Sequence, residues 1–364
     1  MNVIIYGTGF YGTKALKTIS NYENISVIGY ADSFKRGEAN GLPILDLKEW
    51  KEKNETTDVY VVIAIANFGG PVRIYWELKQ LGYPHIFYYL HKDYTSKDDF
   101  LNGECLDMGL ITEETLPYVE LHVMDSCNLN CVGCTHFSAL FDEEIPDTER
   151  RIGDIEKLKS IFHNIFVIAL LGGEPLLNPN VCEYLDRIRT LLPDTEIQLV
   201  TNGLRIPYIE DAFFKCVKNN NVTLCISEYK PTSSILDVIL TRVQKFDLDY
   251  SIRSYDIKQK FNKPLSLSPK SIYPKKCISD GCVEVCDGKI ARCPSLMFIS
   301  KMNEVFGVEL PSDGILDIDE ISDAKSALEV LNREVPLCKH CIQNEIEWGV
   351  CGKKPYLEDF AVYE

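Results

Sequence analysis

The 364-residue sequence has no long hydrophobic segment, since no apolar run approaches the roughly 20 residues that span a bilayer. Its first residues, MNVIIYGTGF, lack the basic region and apolar core of a signal peptide. Positive charge is scarce as well: the sequence has 38 Lys and Arg but 54 Asp and Glu, which gives a net charge of −16. Such a surface repels phosphate backbones and anionic lipid. We therefore expect a cytoplasmic protein that binds neither nucleic acid nor membrane.

Internal repeats and low-complexity runs are also absent, and the composition, 45% apolar and 25% charged, is that of an ordinary globular protein. The length favours two or three domains. Cysteine is the exception, with 14 residues. A reducing compartment disfavours disulfides, and seven of these cysteines have close spacings. Close spacings in that setting are typical of metal binding.

Strand and helix patterns alternate along most of the chain, which predicts parallel βαβ units. Residues 1–95 predict a small doubly wound domain, and the polar, poorly periodic segment 96–117 predicts a linker. Residues 118–268 contain about five βα units, enough for a partial barrel. Residues 269–364 break into short segments rich in Cys, Pro and Gly. The predicted fold class is thus α/β.

A CxxxCxxC motif, Cys127, Cys131 and Cys134, directly follows the first strand of the second series. Three thiolates on one loop can bind three irons of a [4Fe-4S] cluster and leave the fourth iron open to a small molecule. A zinc site with His136 as the fourth ligand is the alternative, although zinc prefers closed sets built on CxxC pairs.

Polar strand ends follow at the face where barrels bind ligands. The segment Gly172-Gly173-Glu174-Pro175 ends the second strand; its glycines permit close backbone approach, and Glu174 can accept hydrogen bonds from an ammonium group. Asn202 follows the third strand and Ser227 ends the fourth. By itself each segment is equally compatible with a plain strand-to-loop turn.

Together these motifs resemble the radical S-adenosylmethionine (SAM) superfamily over residues 118–364, although Gly133 stands where that family commonly has an aromatic residue. The resemblance implies a partial (βα)6 TIM barrel. It also implies a cluster on the three cysteines that cleaves SAM to a 5′-deoxyadenosyl radical, and a reducing electron donor such as flavodoxin or ferredoxin. By the same resemblance the following residues contact SAM: Gly172, Gly173, Glu174, Pro175, Asn202 and Ser227.

A second group of cysteines lies near the C-terminus: Cys277 and Cys293 flank a predicted hairpin with its turn at Asp287-Gly288, and Cys338 and Cys341 form a CxxC pair. Residue chemistry alone allows zinc or a [4Fe-4S] cluster. The region resembles the SPASM or twitch extension of radical SAM enzymes, which implies one auxiliary [4Fe-4S] cluster. Three further cysteines have no assigned role: Cys282, Cys286 and Cys351. Four are expected to pack as small apolar residues: Cys105, Cys182, Cys216 and Cys225.

The N-terminal domain contains GTGFYG, with Gly7, Gly9 and Gly12 between a strand and a helix and Asp32 at the end of the next strand. This pattern is typical of dinucleotide binding. The domain also resembles the small N-terminal domain of sugar acetyltransferases, which binds nucleotide-sugar. We therefore predict NAD or a nucleotide-linked sugar as ligand, with a degenerate docking domain as the alternative.

The leading hypothesis is a radical SAM enzyme that acts on a carbohydrate or nucleotide-linked sugar, in a setting such as polysaccharide biosynthesis. A peptide- or protein-modifying maturase is the second hypothesis, because enzymes with auxiliary clusters often act on peptides. A non-catalytic iron–sulfur or zinc protein that senses nucleotide or redox state is the third. It leaves the Gly-Gly-Glu-Pro segment without a role.

Overall fold

The computed structural model of the protein describes residues 1–65, 69–254, 260–274, 277 and 279–363. The chain forms two compact units, Met1–Ile111 and Thr112–Glu364. Within the described ranges, no helix combines the length and the apolar character needed to cross a membrane.

The first unit is built on a seven-stranded sheet in the order β3-β4-β2-β1-β5-β6-β7. The strands are β1 Asn2–Tyr6, β2 Ser26–Ala31, β3 Gly37–Ala39, β4 Leu42–Leu45, β5 Val59–Ile63, β6 His85–Tyr89 and β7 Cys105–Asp107. The helices are α1 Phe10–Ile19, α2 Leu47–Lys53, α3 Gly69–Leu81 and α4 Phe100–Glu104. The inner strands pair in parallel, and β3 and β7 are antiparallel at the two edges.

The parallel centre of this sheet follows from its sequence. Strand β1 is almost continuously apolar, and Val3, Ile4 and Ile5 are fully buried, as expected of a strand covered on both faces. Helix α1 turns the small residues Gly12 and Ala15 inward, so that it can lie close to the sheet.

The segment 96–117, interpreted from its polar composition as a linker, contains ordered structure. Asp99 caps α4 by accepting a hydrogen bond from the Leu101 backbone (3.0 Å), and β7 pairs antiparallel with β6. The first unit therefore extends to Ile111 rather than to residue 95. Elements this short have too few residues to show a hydrophobic period, which is why the sequence pattern does not indicate them.

The second unit contains an eight-stranded sheet in the order β12-β11-β10-β9-β8-β14-β15-β16. Its first five strands are β8 Thr115–Met124, β9 Asn164–Gly172, β10 Glu196–Thr201, β11 Val222–Glu228 and β12 Tyr250–Ser254. The helices between them are α5 Thr148–Ile161, α6 Val181–Leu191, α7 Asp211–Asn219, α8 Lys230–Ser233 and α9 Leu236–Lys245. All five strands are parallel in chain order, which is the pattern of a partial βα barrel.

The C-terminal region completes this unit. Its strands are β13 Lys260–Ser266, β14 Val283–Cys286, β15 Lys289–Ala291, β16 Leu316–Asp317, β17 Cys341–Glu347 and β18 Ala361–Val362. Its helices are α10 Pro294–Met297, α11 Ile299–Phe306 and α12 Ala324–Asn332. Strand β14 adds a sixth parallel strand beside β8, and β17, β13 and β18 form a separate three-stranded sheet. Phe298, Met302 and Phe360 share one core cluster with Phe137 of the cysteine loop, so the extension and the loop pack together.

Candidate active site

The three motif cysteines lie on a tight loop at the carboxyl end of β8, where the ends of the parallel strands meet. Asn130 and Gly133 have left-handed backbones, with φ of 47° and 75°. These two turns fold the loop back on itself, so that Cys127, Cys131 and Cys134 lie close enough for their charges to interact.

The C-terminal segment 349–359 holds this loop in place. The Gly133 N–H donates to the Asp359 carbonyl (2.7 Å), and the Cys351 N–H donates to the Asn130 carbonyl (2.8 Å). Gly133, the position where the resemblance implies an aromatic residue, has a backbone conformation that strongly favours glycine.

The three thiols differ in acidity. Burial, together with the neighbouring charges of Glu174 and Cys134, raises the pKa of Cys127 to about 12. Burial and the other two thiols also raise the pKa of Cys131. For Cys134 burial acts in the same direction, but hydrogen bonding to His136 outweighs it and lowers the pKa to about 7. A nearby positive charge would therefore favour ionisation of Cys127 and Cys131.

Nitrogen donors surround the sulfur atoms. The Leu129 backbone N–H lies 3.4 Å from Cys127 Sγ, and the Asn202 side-chain amide lies 3.8 Å from the same sulfur. Trp348 Nε1 donates to Cys131 Sγ at 3.2 Å. Such bonds stabilise thiolate charge. Trp348 was not found from the sequence, because it lies far along the chain and outside every motif.

The Gly-Gly-Glu-Pro segment packs directly on the end of β8. Gly172 has φ +136°, and a side chain there would collide with the Met124 carbonyl oxygen. A side chain at Gly173 would collide with the Ser126 carbonyl oxygen in the same way. The Glu174 N–H donates to that Ser126 oxygen (3.0 Å), so the two glycines allow Glu174 to lie beside the cysteine loop.

Glu174 is buried, with 1% of its surface exposed. Its Oε1 accepts from Thr201 Oγ1 (2.7 Å) and from the Leu176 N–H (2.9 Å), which Pro175 at the start of a 3-10 turn presents. Its Oε2 accepts from the Asn202 N–H (2.8 Å). Burial raises the pKa of Glu174 to about 6 although these bonds oppose the shift. At neutral pH it is an oriented, buried carboxylate.

Asn202 and Ser227, the two further predicted ligand contacts, lie at the same edge of the sheet. The Asn202 amide donates to Asn128 Oδ1 (2.7 Å), which connects the end of β10 to the cysteine loop. Ser227 is buried near the end of β11. Both remain predictions as ligand contacts.

The four C-terminal cysteines lie on separate segments, and charge interactions link them in pairs. Cys277 precedes the hairpin β14–β15, whose turn is at Asp287-Gly288 as the sequence predicts. Cys293 precedes α10, and Cys338 and Cys341 lie at a 3-10 turn and the start of β17. Burial and the charges of Cys338 and Cys277 raise the pKa of Cys341 to about 12. Burial and the charges of Cys341 and Cys277 likewise raise that of Cys293.

The cysteines without an assigned role have distinct surroundings. Cys286 Sγ accepts a hydrogen bond from the buried Arg151 guanidinium (2.8 Å). Burial and the charges of Glu120 and Glu284 raise the pKa of Cys282. Cys351 lies beside the three-cysteine loop, and its pKa is raised by burial and by the neighbouring charges of that region.

The glycine pattern of the first unit lies between β1 and α1. Gly7 has φ +110°, and a side chain there would crowd the Ala64 carbonyl oxygen. A side chain at Gly12 would collide with the carbonyl oxygen of Gly7. Gly9 precedes α1 and has open space around it, so it is the position where a ligand can approach the helix N-terminus.

Asp32 organises the loop after β2. Its Oδ2 accepts from Thr8 Oγ1 (2.8 Å), and its Oδ1 accepts from the backbone N–H groups of Phe34 (2.9 Å) and Lys35 (3.0 Å). Burial opposes ionisation, but these bonds outweigh it and lower the pKa of Asp32. The carboxylate is charged and fixed beside the glycine turn.

Two family models match the chain. Residues 121–227 match the Radical SAM superfamily, and residues 2–69 match the PglD N-terminal domain. The first match makes residues 121–227 a domain of the radical SAM class.

Individual relatives cover less of the chain. GTP 3′,8-cyclases are similar, at 30% identity over 94 residues for Heliobacterium modesticaldum (25% of this chain, 28% of the relative). The Lactiplantibacillus plantarum cyclase is 32% identical over 93 residues (24% and 26%). The matches thus span about a quarter of the length of either cyclase.

Solved structures are similar at low identity. BtrN in complex with AdoMet and 2-DOIA matches with TM-score 0.39 and 15% identity, over 66% of this chain and 96% of BtrN. Streptococcus suis SuiB matches with TM-score 0.34 and 13% identity, over 62% and 67%. AnSMEcpe with bound AdoMet matches with TM-score 0.31 and 19% identity, over 38% and 43%.

The class implies a [4Fe-4S] cluster and SAM, and the donor set fits them. Three buried or partly buried thiols lie on one loop, and two of them have raised pKa values that a nearby positive charge would lower. The N–H groups of Leu129, Asn202 and Trp348 face the sulfurs, which is the environment of iron–sulfur sites.

Proposed function

We propose that this protein reductively cleaves SAM at a [4Fe-4S] cluster held by Cys127, Cys131 and Cys134. The observation that supports it most is that the three buried or partly buried thiols lie with Glu174 at one edge of the sheet. In this class the bound cluster supplies the electron that breaks the C5′–S bond of SAM, giving methionine and a 5′-deoxyadenosyl radical that abstracts a substrate hydrogen atom. A donor such as flavodoxin or ferredoxin provides that electron.

The residues of the chain have separate tasks in this reaction. The cysteine thiolates hold the cluster, and Gly172 and Gly173 bring Glu174 next to it. Three hydrogen bonds to neighbouring groups fix the Glu174 carboxylate, so it can accept from the ammonium group of SAM without reorienting. Asn202 is tied to the loop through Asn128 and lies where the amino-acid end of SAM would be bound.

We further propose that Cys277, Cys293, Cys338 and Cys341 bind one auxiliary [4Fe-4S] cluster. Their mutual charge interactions support a shared site, and four thiolates complete the coordination of a cluster. Such a cluster would pass electrons or position the substrate.

For the substrate we propose a carbohydrate or nucleotide-linked sugar. The support is the glycine turn of the first unit, where Gly9 leaves the N-terminus of α1 open and Asp32 is fixed nearby. These features suit a phosphate and a sugar hydroxyl respectively. Peptide modification is the second candidate, because the C-terminal cysteines resemble the auxiliary-cluster extension and enzymes with auxiliary clusters often act on peptides.

The test of the reaction is anaerobic reconstitution, with iron and sulfide counted per chain, followed by dithionite and SAM. We expect about eight irons and 5′-deoxyadenosine formation. Zinc in place of iron, or clusters that never cleave SAM, would contradict the proposal and favour a non-catalytic sensing protein.

The test of the N-terminal ligand uses Gly9→Val and Asp32→Asn, with the exposed Asp58→Asn in the same unit as the matched control. We expect the first pair to weaken binding of NAD or of a nucleotide-linked sugar at least tenfold by calorimetry, with SAM cleavage unchanged. If no such ligand binds the wild-type protein, the first unit is a docking module.

A further inference from the structure

A second polar cluster lies beneath the cysteine loop, inside the barrel. Glu120 and His122 alternate along β8, and Glu284 lies opposite Glu120 on the parallel neighbour β14. His136, two residues beyond Cys134, reaches the same place from the loop. His122 and Glu284 have no exposed surface.

The nitrogen and oxygen atoms of this cluster converge. His122 Nε2 lies 3.2 Å from Glu284 Oε1, and His136 Nε2 lies 3.7 Å from Glu284 Oε2. His136 Nε2 also lies 3.8 Å from Glu120 Oε2. One ligand atom from each of His122, His136 and Glu284 falls within 4.8 Å of the other two.

Despite this proximity, four of the atoms make no hydrogen bond within the described part of the chain: His122 Nε2, His136 Nε2, Glu284 Oε1 and Glu284 Oε2. A buried polar atom without a partner costs roughly 1–3 kcal/mol, and more when it is charged. The described residues therefore leave the cluster incomplete.

The His122 ring is held so that Nε2 faces Glu284. Its Nδ1 bonds to Asp125 Oδ1 (3.1 Å), and Arg151 Nη2 holds the other oxygen of Asp125 (3.0 Å). With the Nδ1 proton shared with Asp125, Nε2 presents a lone pair to a carboxylate. A carboxylate behind the far nitrogen of a histidine is the usual arrangement around metal ligands.

We propose that His122, His136 and Glu284 bind a divalent transition-metal ion, with zinc as the best match to two imidazoles and a carboxylate and with Glu120 as a neighbouring carboxylate. Zinc bonds of about 2.0–2.2 Å in a tetrahedron place the ligand atoms about 3.3 Å apart. The distances from Glu284 to His122, 3.2 Å, and to His136, 3.7 Å, lie within a small adjustment of that value. A shared proton can join only two of these three groups, whereas one dication can join all three and also offset the negative charge of Glu284 and of the neighbouring Glu120.

The surroundings also suit a metal ion. Phe298 lies against the His122 ring, with ring centroids 4.3 Å apart, and shields that side from water. The His136 side chain keeps 18% of its surface exposed, so this member of the cluster is in contact with solvent. This site uses no sulfur and does not depend on the SAM reaction.

The experiment uses the anaerobically reconstituted protein with its clusters in place, incubated with zinc and freed of excess by gel filtration. Zinc per chain and zinc K-edge X-ray absorption are measured for wild type and for Glu284→Gln and His122→Asn. The double variant Glu114→Gln/His163→Gln makes the same kinds of change at exposed positions and is the control. Iron content and thermal unfolding show whether each variant folds.

We expect about one zinc per chain with nitrogen and oxygen neighbours at about 2.0 Å, retained in the control and reduced at least fivefold in either site variant. Wild-type protein that retains no zinc, or that shows sulfur neighbours of zinc at about 2.3 Å, would by itself overturn the site, whether or not the two variants fold. A nitrogen–oxygen shell that persists in folded Glu284→Gln would also overturn it. SAM cleavage is scored separately, so failure of the zinc site and failure of the proposed reaction are distinguishable.

Discussion

The two cysteine groups of this protein are built in opposite ways. Cys127, Cys131 and Cys134 lie on one short loop, and Asn130 and Gly133 provide the backbone turns that gather them. The group of Cys277, Cys293, Cys338 and Cys341 comes from segments separated by a hairpin and three helices. Sequence spacing can therefore specify the first group, whereas only tertiary structure assembles the second.

The two groups also differ in whether a cluster bound there would keep an iron without a cysteine ligand. The first has three thiols with Glu174 nearby, so a cluster there keeps one iron for a small molecule. The second has four thiols, which is a complete ligand set. Accordingly, we expect the first to do chemistry and the second to serve structure, electron transfer or substrate positioning.

The largest expected effect comes from removing the first group, which tests whether SAM cleavage depends on it alone. In Cys127→Ala/Cys131→Ala/Cys134→Ala we expect 5′-deoxyadenosine formation to fall more than about 100-fold while about four irons remain on the second group. Iron analysis and chromatography of the product measure both effects. Cys182→Ala/Cys216→Ala, which lies outside both groups, is the control. Full SAM cleavage in the triple variant would contradict the assignment of these three cysteines as ligands of the SAM-cleaving cluster.

Removing the second group is the converse change. In Cys338→Ala/Cys341→Ala we expect iron to fall from about eight to about four per chain, with SAM cleavage within about threefold of wild type. Thermal unfolding should occur at a lower temperature, because a cluster there ties together segments distant in sequence. Loss of SAM cleavage together with the iron would mean that the two groups do not act separately.

The same contrast explains what could be predicted from the sequence. The alternating strands and helices and the local motifs were sufficient for the fold class, and the family match confirms the radical SAM resemblance for residues 121–227. The loop at Cys127 and the segment at Glu174 were found because each is contiguous. The hairpin turn at Asp287-Gly288 was predicted because its residue types demand it.

Contacts between distant segments could not be predicted in this way. Strand β14 lies beside β8, which no local pattern indicates, and this pairing brings Glu284 to Glu120. A partial signal exists in β8, where Glu120 and His122 interrupt an apolar strand with period two, typical of a polar interior face. Cys351 likewise carries no motif, yet it lies beside the first group.

Glu174→Gln tests how the first group would bind its small molecule. Glutamine keeps the shape but replaces one acceptor oxygen by a donor that must face the N–H of Asn202 or the groups of Thr201 and Leu176. We expect SAM affinity to fall about tenfold to 100-fold by calorimetry, with iron content unchanged. Glu149→Gln on the exposed face of α5 is the control. Unchanged affinity would remove Glu174 from the proposed SAM contacts.

The smallest expected effect concerns a single hydrogen bond between the first group and the C-terminal segment. Trp348 Nε1 donates to Cys131 Sγ at 3.2 Å, and its ring stacks on Tyr229 with centroids 6.0 Å apart. Trp348→Phe keeps an aromatic ring for the stacking and removes only the donor. Because an N–H to a cluster sulfur stabilises the more negative, reduced state, its loss should lower the midpoint potential of the first cluster by about 20–60 mV.

A redox titration followed by electron paramagnetic resonance measures this shift, with Trp76→Phe in the first unit as the control. The potential of the second cluster should stay constant, since Trp348 faces only the first group's sulfur among the described contacts. Equal shifts in both clusters would show that the variant acts through the fold, and no shift in either would show that this hydrogen bond does not tune the cluster.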